Sequence, residues 1–358
     1  MVTEVYFASS RVKNFRQWWV PRESLLEKME RLFFLASFDR IIKGGSVGIK
    51  VHFGEPGDVH YIRPAYVSKL VDIIKGLGAS PVIVETAGLG WRPGRTSAKK
   101  HLQAARKNGF CEETLGAPIL MADGDDGLDG NGRNIPVAKG IADLDSLLIL
   151  SHATGHIQAG FGGAIKNIGV GCVTKPGKFR IHFDGAPKIE EEFCDLCNKC
   201  VEVCPAGAVR PPNINETACL LCNACLDVCD REAIKVKVID SMTLSERIAE
   251  NAKAVVDALG ENIGYINLLV DVIPHCDCHP HSDIPIVPDI GVLASKDPVA
   301  IDVASVDLIN EAPGIEGSAF EDGSADKFSS INPATNWRVQ IETAEKLGMG
   351  RMKYELIC

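Results

Sequence analysis

The stretch Cys194-Asp195-Leu196-Cys197-Asn198-Lys199-Cys200-Val201-Glu202-Val203-Cys204-Pro205 is answered 25 positions later by Cys219-Leu220-Leu221-Cys222-Asn223-Ala224-Cys225-Leu226-Asp227-Val228-Cys229-Asp230. Both runs follow C-x2-C-x2-C-x3-C. Three cysteines at intervals of three let a short looped backbone present three thiolates to one [4Fe-4S] cube, and the fourth, one residue late, is turned away from them. Paired zinc sites normally use two C-x2-C knuckles and would strand the third cysteine of each run. A disulfide framework belongs to short secreted chains. Two [4Fe-4S] clusters are therefore the expected cofactors.

The self-similarity extends beyond the cysteines. The same shift lays Glu192-Phe193 on Thr217-Ala218, Val201 and Val203 on Leu226 and Val228, and Ala208-Val209 on Ala233-Ile234. Two half-modules, each burying one cube between short apolar segments, make a ferredoxin-like α+β unit. In such two-cluster units the fourth cysteine of each run serves the other cluster. The expected ligand sets are thus Cys194, Cys197, Cys200 and Cys229 for one cube, and Cys219, Cys222, Cys225 and Cys204 for the other. Asp230 replaces the proline that follows Cys204, and its carboxylate would disfavour adding an electron to the nearby anionic cluster.

On either side of this unit, helical patterns alternate with short apolar strands. Val2–Ala8 is β-rich, and Leu25, Leu26, Met29, Leu32, Phe33 and Leu35 recur at helical spacing, with Gly44-Gly45 as the expected stop. Strands are expected at Ser46–Phe53, Pro81–Glu85, Ile119–Met121 and Ser146–Leu150, with helices at Pro64–Leu77 and near Ser97–Asn108. The alternation breaks after Gly185 and resumes beyond Asp240. There Thr243 with Glu246 reads as a capping box for a helix ending at Gly260, Tyr265–Ile273 and Ile290–Ala294 read as strands, and Asp297-Pro298 starts a helix through Asn310. This pattern predicts an α/β host with a mostly parallel sheet covered by helices, residues 1–187 and 241–358, and an inserted module at 188–240.

The 358-residue chain carries a net charge of −9 with pI near 5.5, so it lacks the basic field that tracks nucleic-acid backbones. A basic or neutral redox partner protein or small electron carrier suits it better. Five cysteines remain outside the runs: Cys111, Cys172, Cys276, Cys278 and Cys358. Free thiols and solvent-near clusters belong in a reducing compartment. With no signal-peptide pattern in Met1–Ser10 and no apolar run long enough for a bilayer, the expectation is a cytoplasmic protein of an oxygen-poor cell, without membrane insertion.

In the host, ligand-type residues fall just after strands: His52 and Glu55, then Glu85 and Thr86, then Asp123, Asp125 and Asp126, then His152 and His156, then Cys276 to His281. Ligand crevices of open α/β sheets lie beyond the carboxyl ends of strands, so these residues are expected to converge. Solvated loops are also polar for no functional reason. Cys276 and Cys278 offer soft metal ligands or a reactive dithiol. Two histidines four apart, His152 and His156, would share a face if their segment were helical. Gly160, Gly162, Gly163, Gly169 and Gly171 surround Lys166-Asn167, a composition suited to an anion nest of backbone amides with Lys166 as anchor, or simply to close packing. Trp18, Trp19 and Trp91, near Arg92 and Arg95, could line a ligand mouth, although an exposed loop edge is the favoured reading.

Several host segments together carry a resemblance. Gly48-Ile49-Lys50-Val51-His52-Phe53-Gly54-Glu55, His60-Tyr61-Ile62-Arg63-Pro64, Gly160 to Asn167 with Gly169, Gly171 and Cys172, Cys276-Asp277-Cys278, Pro285 to Gly291 and Asp297 to Asp302 are similar to the uncharacterised "Fe-S center protein" family, a domain of unknown function. The resemblance implies two [4Fe-4S] clusters in the insert and leaves the reaction open. Where members often place glycine before the second cysteine of each run, this chain has Leu196 and Leu221; where they often have lysine before Gly155-His156, it has Thr154.

The reading that unites these features is a redox protein whose clusters relay single electrons between an external carrier and a host ligand site, expected to be an oxidoreductase built on His52, Glu55, Asp123, His152, His156 and Lys166, with Lys166, Asn167, Gly162 and Gly163 holding an anionic small molecule. An additional metal could sit on Cys276 and Cys278. The alternatives are an electron carrier that docks on another enzyme without chemistry of its own, and a metallocofactor-handling protein.

Overall fold

The computed structural model describes residues 2–12, 22–42, 44–90, 95–130, 137–320 and 324–358. In chain order the elements are β1 (Thr3–Ser9), α1 (Leu25–Leu35), β2 (Ser46–Lys50), α2 (Pro64–Gly76), β3 (Ser80–Glu85), α3 (Ala98–Lys107), α4 (Glu112–Leu115), β4 (Ile119–Met121), α5 (Lys139–Ala142), β5 (Ser146–His152), β6 (Thr154–His156), β7 (Gly160–Gly162), α6 (Ala164–Gly171), α7 (Lys175–His182), β8 (Phe183–Ile189), α8 (Lys199–Glu202), β9 (Val209–Arg210), β10 (Asn213–Ile214), α9 (Ala224–Asp227), β11 (Ile234–Val238), α10 (Ser241–Leu259), β12 (Ile263–Leu269), β13 (Gly291–Ser295), α11 (Pro298–Glu311), α12 (Lys327–Ile331), α13 (Arg338–Lys346) and β14 (Tyr354–Ile357).

Eight strands form one sheet in the order β14-β1-β13-β12-β5-β2-β3-β4. Neighbours run parallel except at β13, which is antiparallel to both β1 and β12. The expected α/β class and mostly parallel sheet are what the fold has. Period-2 alternation divides the core between the two faces: Leu147 and Ile149 of β5 pack with α6, α10 and α11, while Leu148 and Leu150 pack with α1 and α2. Burial on both faces is why β5 reads as an unbroken apolar run. Chain order reverses between β2 and β5, which places the topological switch where His52 and His152 emerge.

Three local expectations are corrected. Helix α1 is started by a complete Ser24–Glu27 capping box, but it stops at Leu35 rather than at Gly44. Ser37 turns left-handed there and a 3-10 turn over Phe38–Arg40 drops Phe38 into the core, edge-on to Phe33 at 5.5 Å. Helix α10 is capped by Asp240, which accepts from the amides of Met242 and Thr243, both at 2.9 Å. Thr243 is thus inside the first turn, because an equally good acceptor lies three residues upstream. The third correction concerns His152 and His156: they stand on consecutive extended segments, β5 and β6, and share no helix face.

Residues between β8 and β11 form a small unit with its own core of Cys200, Val209, Cys225 and Ile234. β8 and β11 pair antiparallel, from Phe183 with Val238 to Ile189 with Ile234. This paired stalk begins at Phe183, five residues before the boundary expected at 188. The 25-residue repeat is written into the backbone: α8 and α9 are one repeat apart, and so are the positive-φ pairs Leu196/Leu221 and Asn198/Asn223. Both leucines have φ of 57°, a region glycine enters without steric cost, which gives a conformational reason for glycine at these positions in similar chains.

Candidate functional site

Cysteine pockets and the host cavity

The eight run cysteines gather in two pockets. One, with a cavity of about 280 Å³, is lined by Cys194, Cys197, Cys200 and Cys229. The other is lined by Cys204, Cys219, Cys222 and Cys225. Each pocket takes three thiols from one run and the fourth from the other, and none of the eight is in a disulfide. This donor chemistry suits a [4Fe-4S] cube in each pocket: four soft thiols, with the two carboxylates that line the first pocket, Asp195 and Asp230, paired to Arg231 and Lys199. Backbone amides also face sulfur, from Ala208 to Cys204 Sγ at 3.2 Å and from Leu221 to Cys219 Sγ at 3.4 Å. Cys197, in the first pocket, is exposed. The second pocket abuts the host.

A cavity of about 590 Å³ opens in the host beyond the carboxyl ends of β2, β3, β5 and β12. The parallel register of these four strands delivers Lys50 and His52, Glu85 and Thr86, His152, and Cys276 to Cys278 to one rim. At its centre Lys50 Nζ lies 3.0 Å from Glu85 Oε1, with both side chains almost wholly buried. Burial alone would raise the Glu85 carboxyl, but Lys50 and His52 outweigh it and hold it far below the usual carboxylate range. His52 Nδ1 is 3.3 Å from Glu85 Oε2. His52 Nε2 is 3.9 Å from Asp277 Oδ1.

Asp277 links two histidines. His152 Nδ1 lies 3.4 Å from its Oδ2, and His152 Nε2 donates to the carbonyls of Val270 at 2.8 Å and Asp271 at 3.1 Å. Burial works against the charged ring, yet the Asp277 hydrogen bond and charge raise the His152 pKa above its ordinary value. Conversely, Asp277, which burial would raise, is held down to about 2 by His52 and His152. His156 differs. Its Nδ1 accepts from the amides of Gln158 and Ala159, so the neutral ring carries its proton on Nε2, and burial pushes its pKa well below the usual value.

Two lysines face the same space. Burial lowers Lys166 to about 8, and among the described residues its Nζ makes no hydrogen bond. Lys178 is also lowered to about 8 by burial and donates to Thr86 Oγ1 at 2.6 Å and Val173 O at 2.7 Å. His101, pushed by burial to about 3, lies edge-on to Phe53 with neither ring nitrogen hydrogen-bonded.

Of the residues expected at the site, His52, His152, His156, Lys166, Asn167, Gly162, Gly163, Cys276 and Cys278 line this cavity. Asp123 does not. Its carboxylate accepts twice from the Ala87 amide, at 2.9 and 3.0 Å, and anchors the loop after β3. Glu55 is a latch: it pairs with Arg95, which also donates to Cys278 O at 3.1 Å. The amides of Ala164 and Ile165, which an anion nest would require, are given to the buried Asp302 at 2.7 and 2.9 Å. The glycine at 163 makes room for that carboxylate, since a Cβ there would stand 2.3 Å from Asp302 Oδ1. Asn167 is structural as well, holding Lys50, Leu150 O and Ser151 Oγ. Cys276 and Cys278 are joined in a disulfide. Trp18, Trp19, Trp91 and Arg92 lie outside the described residues.

Glu85 and the Cys276–His281 tract that holds Asp277 converge here as expected, and Lys50, His101 and Lys178, which sequence reasoning passed over, complete the site. A lysine ending the apolar strand Val47-Gly48-Ile49 was the available signal, because a buried ammonium requires a buried anion.

Comparison with known proteins

No curated protein matches this chain. Among solved structures it is similar to the lactate racemase apoprotein from Thermoanaerobacterium thermosaccharolyticum, with 12% identity and a TM-score of 0.38, over 75% of this chain and 51% of that one. The chain thus spans about half the length of that protein. The family model described as Domain of unknown function (DUF362) matches residues 47–307, from within β2 to within α11 and through every loop that lines the host cavity, and the chain belongs to that family.

Proposed function

We propose that this chain is an iron–sulfur redox protein whose ferredoxin-like insert, residues 188–240, binds two [4Fe-4S] clusters and relays electrons between an external carrier and a ligand site in the host cavity. The observation that carries the reading is the crossed pair of four-cysteine pockets, one of which shares a wall with that cavity. Leu89 and Gly90 line the cavity, Leu221 packs against the small cluster of Leu89, Phe179 and Phe183, and a Cβ on Gly90 would stand 2.4 Å from Asn223 Nδ2. Leu221 and Asn223 line the second cysteine pocket. Clusters bound in the pockets would supply one-electron transfer. The first pocket, with exposed Cys197 and with the exposed Glu190, Glu191 and Glu192 just before Cys194 in the chain, suits a basic redox partner in a reducing cytoplasm.

In the host, Lys166 and Lys178 favour an anionic small molecule, and the imidazoles of His52 and His152, tied through Asp277, can hold or move a proton beside it. Protein purified without oxygen should carry about eight irons and eight sulfides per chain and show cubane signals on reduction; zinc in their place would refute the cluster assignment. Reoxidation of the reduced chain by small organic anions should be slower in Lys166→Met than in the native protein. Equal rates for every anion tried would remove the host site from the relay.

A further inference from the structure

Resting on that relay, we infer that Cys276 and Cys278 form a two-electron redox disulfide in the wall of the host cavity, reduced to a dithiol by electrons arriving through the Cys204/Cys219/Cys222/Cys225 pocket. Both cysteines line the cavity and their sulfurs are bonded to each other. A pair of one-electron centres next to a cavity has an obvious use for a group that takes up electrons two at a time, and a disulfide is the only such group among the described side chains of this cavity.

The loop that carries the pair is held at its backbone. The Glu55 amide donates to Asp277 O at 3.0 Å, Arg95 donates to Cys278 O at 3.1 Å, and the Asp277 side chain is fixed by His152. Breaking the S–S bond therefore leaves the loop backbone in place, and the two sulfurs move apart by side-chain rotation alone. A ring nitrogen of His156 and the two sulfurs all lie within 4.8 Å of one another, a grouping that also suggests a metal site. The hydrogen bonds of His156 argue against metal. Its Nδ1 lone pair already accepts two backbone amides, which leaves Nε2 protonated and without a lone pair to give an ion. A protonated Nε2 can instead donate to a cysteine sulfur as the bond is cleaved, before that sulfur takes up its own proton.

The step balances as follows. The Cys276–Cys278 bond accepts two electrons and two protons and breaks to two thiols, while a low-potential one-electron donor outside the protein is oxidised twice. The electrons cross the Leu89–Gly90 wall singly, and water in the cavity provides the protons.

The test uses the full chain, purified without oxygen and assayed for iron. Titrated with reduced methyl viologen, the native protein should take up about four electrons per chain, and Cys276→Ser/Cys278→Ser about two, with unchanged cluster spectra. Iodoacetamide followed by peptide mass mapping should label Cys276 and Cys278 only after reduction. In Cys222→Ser, which damages the adjoining pocket, viologen should leave them unlabelled while dithiothreitol still exposes them. Equal electron uptake by native and doubly substituted chains would overturn the disulfide assignment, as would a stoichiometric metal ion lost on the double substitution. A chain lacking iron would instead remove the relay, and the electron route with it, a failure that the iron assay separates from the other two.

Discussion

Glu85→Gln tests the electrostatic centre of the host cavity. The carboxylate stands 3.0 Å from Lys50 Nζ and 3.3 Å from His52 Nδ1, and accepts the Thr86 amide at 2.9 Å. At an effective dielectric constant of 20, the Lys50 contact alone corresponds to about 5 kcal/mol of attraction. The substitution keeps the shape and removes the charge, which leaves the Lys50 ammonium buried with neutral Asn167 as its remaining close side-chain partner. Stranding one member of a buried pair costs about 3–5 kcal/mol. For a chain of this size that is a fall in unfolding temperature of about 4–7 °C. The assay is far-UV circular dichroism of the iron-loaded protein under nitrogen, with iron content showing the insert intact. The double variant Lys50→Met/Glu85→Leu should recover most of the loss, since exchanging a buried pair for apolar side chains of similar volume is often neutral or better. A fall of less than about 2 °C for Glu85→Gln, or a double variant no more stable than the single one, would refute the reasoning.

The other predictions concern the pockets, a buried lysine and a helix cap. Cys229→Ala should abolish the signal of the cluster held by Cys194, Cys197 and Cys200, and Cys204→Ala that of the other; damage confined to the mutated residue's own run would show the ligands uncrossed. Lys178 keeps its proton up to about 10.5 in the unfolded chain but releases it at about 8 in the folded one. Between those values the unfolded state binds more protons, so native stability should rise with pH, by about 3 kcal/mol for this group. Lys178→Met should lack that rise, and a native-minus-variant difference that stays constant from pH 8 to 10.5 would contradict it. Asp240→Ala, which removes the cap on α10, should cost about 1 kcal/mol in denaturant melts, whereas Thr243→Val should cost less.

The chain's own sequence determined whatever depends on local spacing. Two C-x2-C-x2-C-x3-C runs and their 25-residue echo specify the paired half-modules, because cysteine spacing and the left-handed turns at Leu196 and Leu221 are short-range properties. Apolar runs separated by helical patterns likewise specify the α/β class, since a strand buried on both faces has no polar face to show. Tertiary structure decided what requires distant segments to meet. Only the strand order brings His52, Glu85, His152 and Asp277 to one rim, and it leaves Asp123, equally polar and equally placed after a strand, binding the Ala87 amide instead. The glycines around Lys166 suggested open amides; a carboxylate 138 positions away, Asp302, had already filled them. Hydrogen bonds and ion pairs at such separations depend on which side chains the packed sheet makes neighbours, and no local pattern carries that information.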